Sequence, residues 1–179
     1  MSCEQEYVVS RKQENLIFVK ISALKKKILF IVPCLLSLVS CIPSIDVFEK
    51  DVTIPQQQWQ SSFQPQITFH VADTAASYNV YLTIRHTDAY NYNNIWIKVT
   101  VQQPDDLKSH SQRFNLTLAT NERGWMGSAM DDIYEHRVLV QPQTKFQKPG
   151  DYHFILEQIM REDPLLHVMN VGVRVEKVK

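Results

Sequence analysis

The sequence predicts an all-β domain over residues 45–179, an antiparallel β-sandwich of jelly-roll or immunoglobulin-like type with about eight strands. Three observations predict it. Apolar residues recur at every second position in short runs, the mark of strands with one face buried. Turn-forming residues gather between the runs. No stretch of the domain sustains a 3.6-residue apolar period, which leaves no helical layer to pack against a sheet.

The elements follow in chain order. A first strand is expected around Val47 to Ile54. Ile67, Phe69 and Val71 alternate with Thr68 and His70, and Tyr78, Val80, Leu82 and Ile84 alternate with Asn79, Tyr81, Thr83 and Arg85. Ile95, Ile97, Val99 and Val101 enclose Trp96, Lys98 and Thr100. Phe114, Leu116 and Leu118 enclose Asn115 and Thr117, and Val138 and Val140 flank Leu139. Tyr152, Phe154 and Leu156 alternate with His153 and Ile155, and Val171, Val173 and Val175 with Gly172 and Arg174. Between them stand the Asn/Tyr-rich segment 88–94, Pro104-Asp105-Asp106, Pro149-Gly150-Asp151 and Glu162-Asp163-Pro164. Only Asp131 to Glu135 and Glu157 to Arg161 offer a turn of helix.

Ahead of this domain, Lys25, Lys26 and Lys27 precede an uncharged apolar run from Ile28 to Ser40. A membrane-spanning helix needs about 20 residues, and this run is shorter. It has the length of a signal-peptide apolar region behind a basic segment. It ends in Leu38-Val39-Ser40-Cys41, which resembles the lipobox of bacterial lipoproteins. A small residue before the cut admits the peptidase, and the thiol accepts the diacylglycerol. Residues 1–40 are therefore expected to be a signal peptide, with a start over-extended upstream. Residues 41–44 form a tether whose Cys41 carries the lipid, palmitate-type chains included, and inserts in the bilayer.

The chain carries 19 Lys+Arg and 19 Asp+Glu; six basic and three acidic residues precede Cys41, leaving 13 against 16, a net of −3. No basic face for a nucleic-acid backbone is indicated. Of the three cysteines, Cys3 and Cys34 lie in the signal and Cys41 is blocked by lipid. The domain thus has no thiol for a disulfide, a nucleophile or a metal. His70, His86, His110, His136, His153 and His167 fall on separate strands and loops, each expected as a half-exposed strand residue rather than a ligand. No Gly-x-Ser-x-Gly elbow is present, Asp105-Asp106 and Asp131-Asp132 sit in turns, and no glycine-rich phosphate loop occurs. Neither catalytic residues, nor a cofactor, nor a metal site is expected.

Two clusters stand out: Tyr90-Asn91-Tyr92-Asn93-Asn94-Ile95-Trp96, and Arg123-Gly124-Trp125-Met126-Gly127. Both fit a binding surface for partner proteins or sugars, and both fit loops whose aromatics cap the core. Glycines around Trp125 point to tight turns that place the indole. Antiparallel strands alternate in direction, so connections 88–94 and 120–132 are expected at one end. Tyr90, Tyr92, Arg123 and Trp125 are the expected contacts. Trp96 is assigned to the core because it lies within a strand.

The same residues carry a resemblance. The strings from Tyr78 to Thr87 and from Tyr90 to Trp96, Gly124-Trp125-Met126-Gly127, Pro149-Gly150-Asp151-Tyr152-His153-Phe154, Glu157-Gln158-Ile159-Met160-Arg161 and Val171 to Glu176 resemble the pattern of the gliding-motility lipoprotein GldH family of Bacteroidetes-type bacteria. The resemblance spans about Cys41 to Glu176. It departs at Leu165-Leu166-His167-Val168, where the pattern has a Gly-Ile step, so the last hairpin is expected to turn differently. The resemblance implies a non-enzymatic lipoprotein, anchored in the cell envelope, with the outer membrane expected and the face left open. Its implied partners are other envelope proteins of the gliding and secretion machinery. A carbohydrate-binding envelope lipoprotein using residues 88–96 and 123–127 is the alternative. Asp73-Thr74-Ala75 further resembles the Asp-Ser/Thr-apolar site at which such bacteria O-glycosylate exported proteins, with Thr74 as acceptor.

Overall fold

The computed structural model describes residues 47–105 and 109–178. The expected signal peptide and tether, with Cys41, lie outside the described residues. Alternation gives strands wherever the sequence shows it. Eight strands have six residues or more: β1 (Val47–Thr53), β3 (Gln66–Val71), β4 (Tyr78–Thr87), β5 (Asn94–Gln102), β6 (Ser109–Thr117), β10 (Ile133–Thr144), β11 (Gly150–Gln158) and β13 (Val168–Lys177). Five shorter ones fill the connections: β2 (Gln58–Trp59), β7 (Ala119–Thr120), β8 (Gly124–Trp125), β9 (Ser128–Met130) and β12 (Leu165–Leu166).

The long strands form two sheets, one ordered β1-β13-β4-β10-β9 and the other β3-β11-β5-β6, with every pairing antiparallel. The expected antiparallel β-sandwich is the observed architecture. Its core is the inward parity of each strand. Ile67, Phe69 and Val71 of β3 are buried, as are Val80, Leu82 and Ile84 of β4, Ile95, Ile97 and Val99 of β5, Tyr152, Phe154 and Leu156 of β11, and Val171, Val173 and Val175 of β13. Each such side chain contributes about 1.5–3 kcal/mol by leaving water. Trp59, fully buried on the short β2, donates its indole N–H to the Phe63 carbonyl at 2.9 Å.

Two local expectations give way to tertiary pairing. Asp131 to Glu135 holds no helical turn: Ile133–Glu135 begin β10, pairing with Thr87–Arg85 of β4 on one side and Met130–Ser128 of β9 on the other. Glu157 and Gln158 complete β11, paired with Lys98 and Ile97. The only helical element among the described residues is a 3₁₀ turn at Pro55–Gln57. At the hairpin where the family's Gly-Ile step is missing, His167 takes φ 67°, the left-handed conformation glycine favours, and the β13–β4 register shifts between Val168 and Asn170.

Strand directions define two poles. β1 starts beside the start of β4 and the end of β13, since Val47 pairs with Glu176, and Glu176 with Asn79. Connection 72–77 lies at this lower pole. Connection 88–93 and segment 159–164 lie at the upper pole, where β4 and β11 end.

Candidate functional site

The upper pole collects the unusual side chains. The two aromatic connections meet there: Asn93 accepts backbone hydrogen bonds from Leu118 and Ala119 at 2.8 and 3.0 Å, and the Tyr90 and Trp125 ring centroids are 6.3 Å apart. Glycine makes the second connection possible. Gly124 has φ 64°, and a side chain at Gly127 would strike the Glu135 carbonyl of β10. The indole between them is half-buried, 4.5 Å from the His86 ring and 5.6 Å from Tyr134 by centroid.

The four expected contacts have different fates. Arg123 is exposed. Tyr92 is half-buried and donates to Glu162 Oε2 at 2.9 Å, a bond to an anion that raises the phenol pKa. Trp125 packs partly against the core. Tyr90 is no surface contact: it is 4% exposed, its hydroxyl donates to the Asn94 carbonyl at 3.1 Å, and burial raises its pKa. The turn that bonds Tyr90 N–H to the Thr87 carbonyl at 3.1 Å carries the ring inward. Tyr90 stands edge-on to Tyr92, at 68°, so the two tyrosines do not offer coplanar faces to a sugar.

Trp96 corrects the opposite assignment. It is 40% exposed, because β5 turns Ile95, Ile97 and Val99 inward and places Trp96 and Lys98 on the outer face. With Tyr92, Asn94, Arg113, Met160 and Arg161 it lines a groove of about 470 Å³. Parity along β5 was the available signal. Met126 and Met130, 47% and 71% exposed, extend the apolar character of the pole.

Beneath Trp125 lies a feature sequence reasoning missed. His86 and His136 are not half-exposed but buried, at 0% and 3% exposure. Their Nε2 atoms are 3.0 Å apart, with rings 14° from parallel. The His86 Nδ1 atom lies 2.7 Å from the Thr87 carbonyl, so it must carry a proton and donate. His86 Nε2 is then a lone-pair acceptor, and His136 Nε2–H donates to it. Both rings are neutral in this arrangement. Burial lowers both pKa values, that of His136 to about 4. Among the described residues, no group of three or more His, Cys, Asp or Glu could hold a metal, and no helix is long and apolar enough to cross a membrane.

The sequence model of the family described as GldH lipoprotein matches residues 46–175. The chain belongs to that family. Two similar relatives are a "Gliding motility lipoprotein GldH homolog" of Christiangramia forsetii and the "Gliding motility lipoprotein GldH" of Flavobacterium johnsoniae. The first is 23% identical over 128 residues, covering 67% of this chain and 78% of the relative. The second is 23% identical over 126 residues, covering 66% and 77%. Among solved structures, a carbohydrate-binding module specific for non-crystalline cellulose gives a TM-score of 0.40 at 11% identity, over 73% of each chain. The VP2 subviral particle of infectious bursal disease virus gives 0.31 at 11% identity, over 77% of this chain and 34% of the other. Both scores are too low to bear on what this chain does. Two strings of the GldH resemblance, Tyr90 to Trp96 and Gly124 to Gly127, build the upper pole, and a third supplies Met160 and Arg161.

Proposed function

We propose that this GldH-family chain is a lipid-anchored envelope protein, held through Cys41 in the outer membrane. It serves the gliding-motility and secretion machinery without catalysis, by binding another envelope protein. Family membership and the relatives' names support the setting. The observation that carries the mode of action is the upper pole, where two aromatic connections converge and Tyr92, Trp96, Arg123 and two methionines face solvent. Trp, Tyr, Arg and Met are the residue types that anchor protein interfaces. The absence of coplanar tyrosines weighs against the sugar-binding alternative.

The test is chemical crosslinking of the full chain in its native envelope, followed by recovery of the crosslinked envelope protein. Tyr92→Ala and Arg123→Glu should each reduce recovery while leaving Tm within a few degrees. Trp125→Ala is a poorer probe, because its ring also packs on His86. Undiminished crosslinking in the Tyr92 and Arg123 variants would place the interface elsewhere.

A further inference from the structure

The outer face of β5 and β6 carries an arrangement that stability alone does not favour. Lys98 and Arg113 stand directly opposite each other across the two strands. Like charges at such a pair are destabilising. Lys98 is relieved by an ion pair with Glu157 of β11 on its other side. Arg113 has no such relief: among the described residues it makes no ion pair, and neither does Arg161. Both line the groove that holds Trp96. Sheet order fixes their disposition. Trp96 is on β5, Arg113 sits on the neighbouring β6 diagonal to it, and Arg161 follows β11 on the opposite side. The Met160 sulfur accepts from the Trp96 backbone N–H at 3.3 Å, holding an apolar side chain beside this residue.

Resting on the reading that this pole binds a protein, we propose that the groove receives an acidic segment of the partner. Arg113 and Arg161 take its carboxylates on either side of the Trp96 indole, and Met160 packs against its apolar side chains. A guanidinium offers a planar fork that pairs with carboxylate through two parallel hydrogen bonds. No carboxylate lines the groove itself; Glu162 lies behind it, held by the Tyr92 hydroxyl at 2.9 Å, and the two arginines leave the local charge positive although the exported part is net negative. A protein segment fits better than an anionic polysaccharide because the groove exposes one indole beside thioether and aliphatic walls, while its second ring, Tyr92, is half-buried and tied to Glu162 rather than laid open for successive sugars.

The full chain, purified in detergent, is titrated with three labelled probes: a decapeptide with four glutamates around a central leucine pair, its lysine counterpart, and tetra-galacturonate of matched charge. The glutamate peptide should bind saturably and weaken with salt, and the other two should not. Arg113→Gln/Arg161→Gln should weaken it at least tenfold, and Trp96→Ala likewise, with Tm unchanged for the arginine pair. The proposal is overturned by absent binding of the glutamate peptide, by equal or tighter binding of galacturonate, or by unchanged affinity in the arginine pair. Crosslinking in the envelope separates two kinds of failure. If the peptide fails but Tyr92→Ala still reduces crosslinking, the pole is an interface for a partner of other chemistry. If both fail, the protein-binding reading falls with it.

Discussion

Acid should loosen this domain before its carboxylates titrate, and the buried His86–His136 pair is the reason. The hydrogen bond between the two Nε2 atoms uses one proton, donated by His136. A second proton on His86 Nε2 would set donor against donor, and one on His136 Nδ1 would place a cation in the core. Folding therefore holds His136 at a pKa of about 4, against 6.5 for a free imidazole. The unfolded chain binds the proton more readily, so stability is full above pH 6.5 and is lost as pH falls toward 4. At 1.36 kcal/mol per pKa unit, His136 alone costs about 2 kcal/mol by pH 5 and about 3 kcal/mol at pH 4. His86, lowered by burial, adds in the same direction. Asp73, Glu135 and Asp163 also have lowered values, from 3.8, 4.5 and 3.8, so their losses fall mostly below this window. Urea unfolding at pH 7.5, 6.5, 5.5 and 5.0 reads the slope. His136→Gln keeps an N–H donor toward His86 without a titrating ring and should flatten the curve by about 2 kcal/mol over that range. A wild-type stability that stays level from pH 7.5 to 5.0, or a His136 ring that titrates near 6.5 by NMR, refutes the argument.

Four other outcomes are expected. Cys41→Ala should leave an uncleaved or unanchored precursor, because stable membrane residence needs at least two acyl chains; equal labelling of mutant and wild type by a fatty-acid analogue would contradict this. Thermal melts of the domain with and without chelator and reductant should coincide, and a drop of many degrees with chelator would reveal a metal. His167→Gly should raise Tm by about 3–5 °C, since the left-handed backbone there costs a non-glycine residue about 1 kcal/mol; a lower Tm would mean the imidazole has a stabilising role. We also propose Thr74 as a glycosylated residue in the lower-pole connection, where Asp73 Oδ1 accepts the Ala75 N–H at 3.0 Å and its other oxygen pairs with Lys177 at 2.8 Å. An intact mass of the exported protein without a hexose-scale increment would dispose of this.

The sandwich was legible because alternation is a one-dimensional record of which face is buried, and β3, β4, β5 and β11 carry it plainly. The meeting of the two aromatic connections followed from strand direction alone. The errors came from setting parity aside. Trp96 is assigned to the core because it lies within a strand, although Ile95 and Ile97 on either side already claim the inward positions. His86 continues the inward series of Leu82 and Ile84, so its burial could have been read from the same rule. Tyr90 lies in a turn, where no period applies and only the path of the backbone decides. The arginine groove was beyond reach for a different reason: the opposition of Lys98 and Arg113 depends on the β5–β6 register, which involves 15 residues of sequence separation and no local signal.

One feature of the topology bears on mechanics. β1 begins at the pole opposite the groove, and it is an edge strand whose backbone ladder is with β13 alone, through seven paired positions from Val47 to Thr53. On the proposal that Cys41 anchors the chain, load enters the domain at the start of β1, and the groove stands about 30 Å away, the length of a ten-residue strand such as β13. Tension between the bilayer and the proposed partner would then run along the strand axes. The β1–β13 ladder is pulled in shear, with its hydrogen bonds sharing the load, whereas a tether leaving from the upper pole would have peeled β1 away one bond at a time.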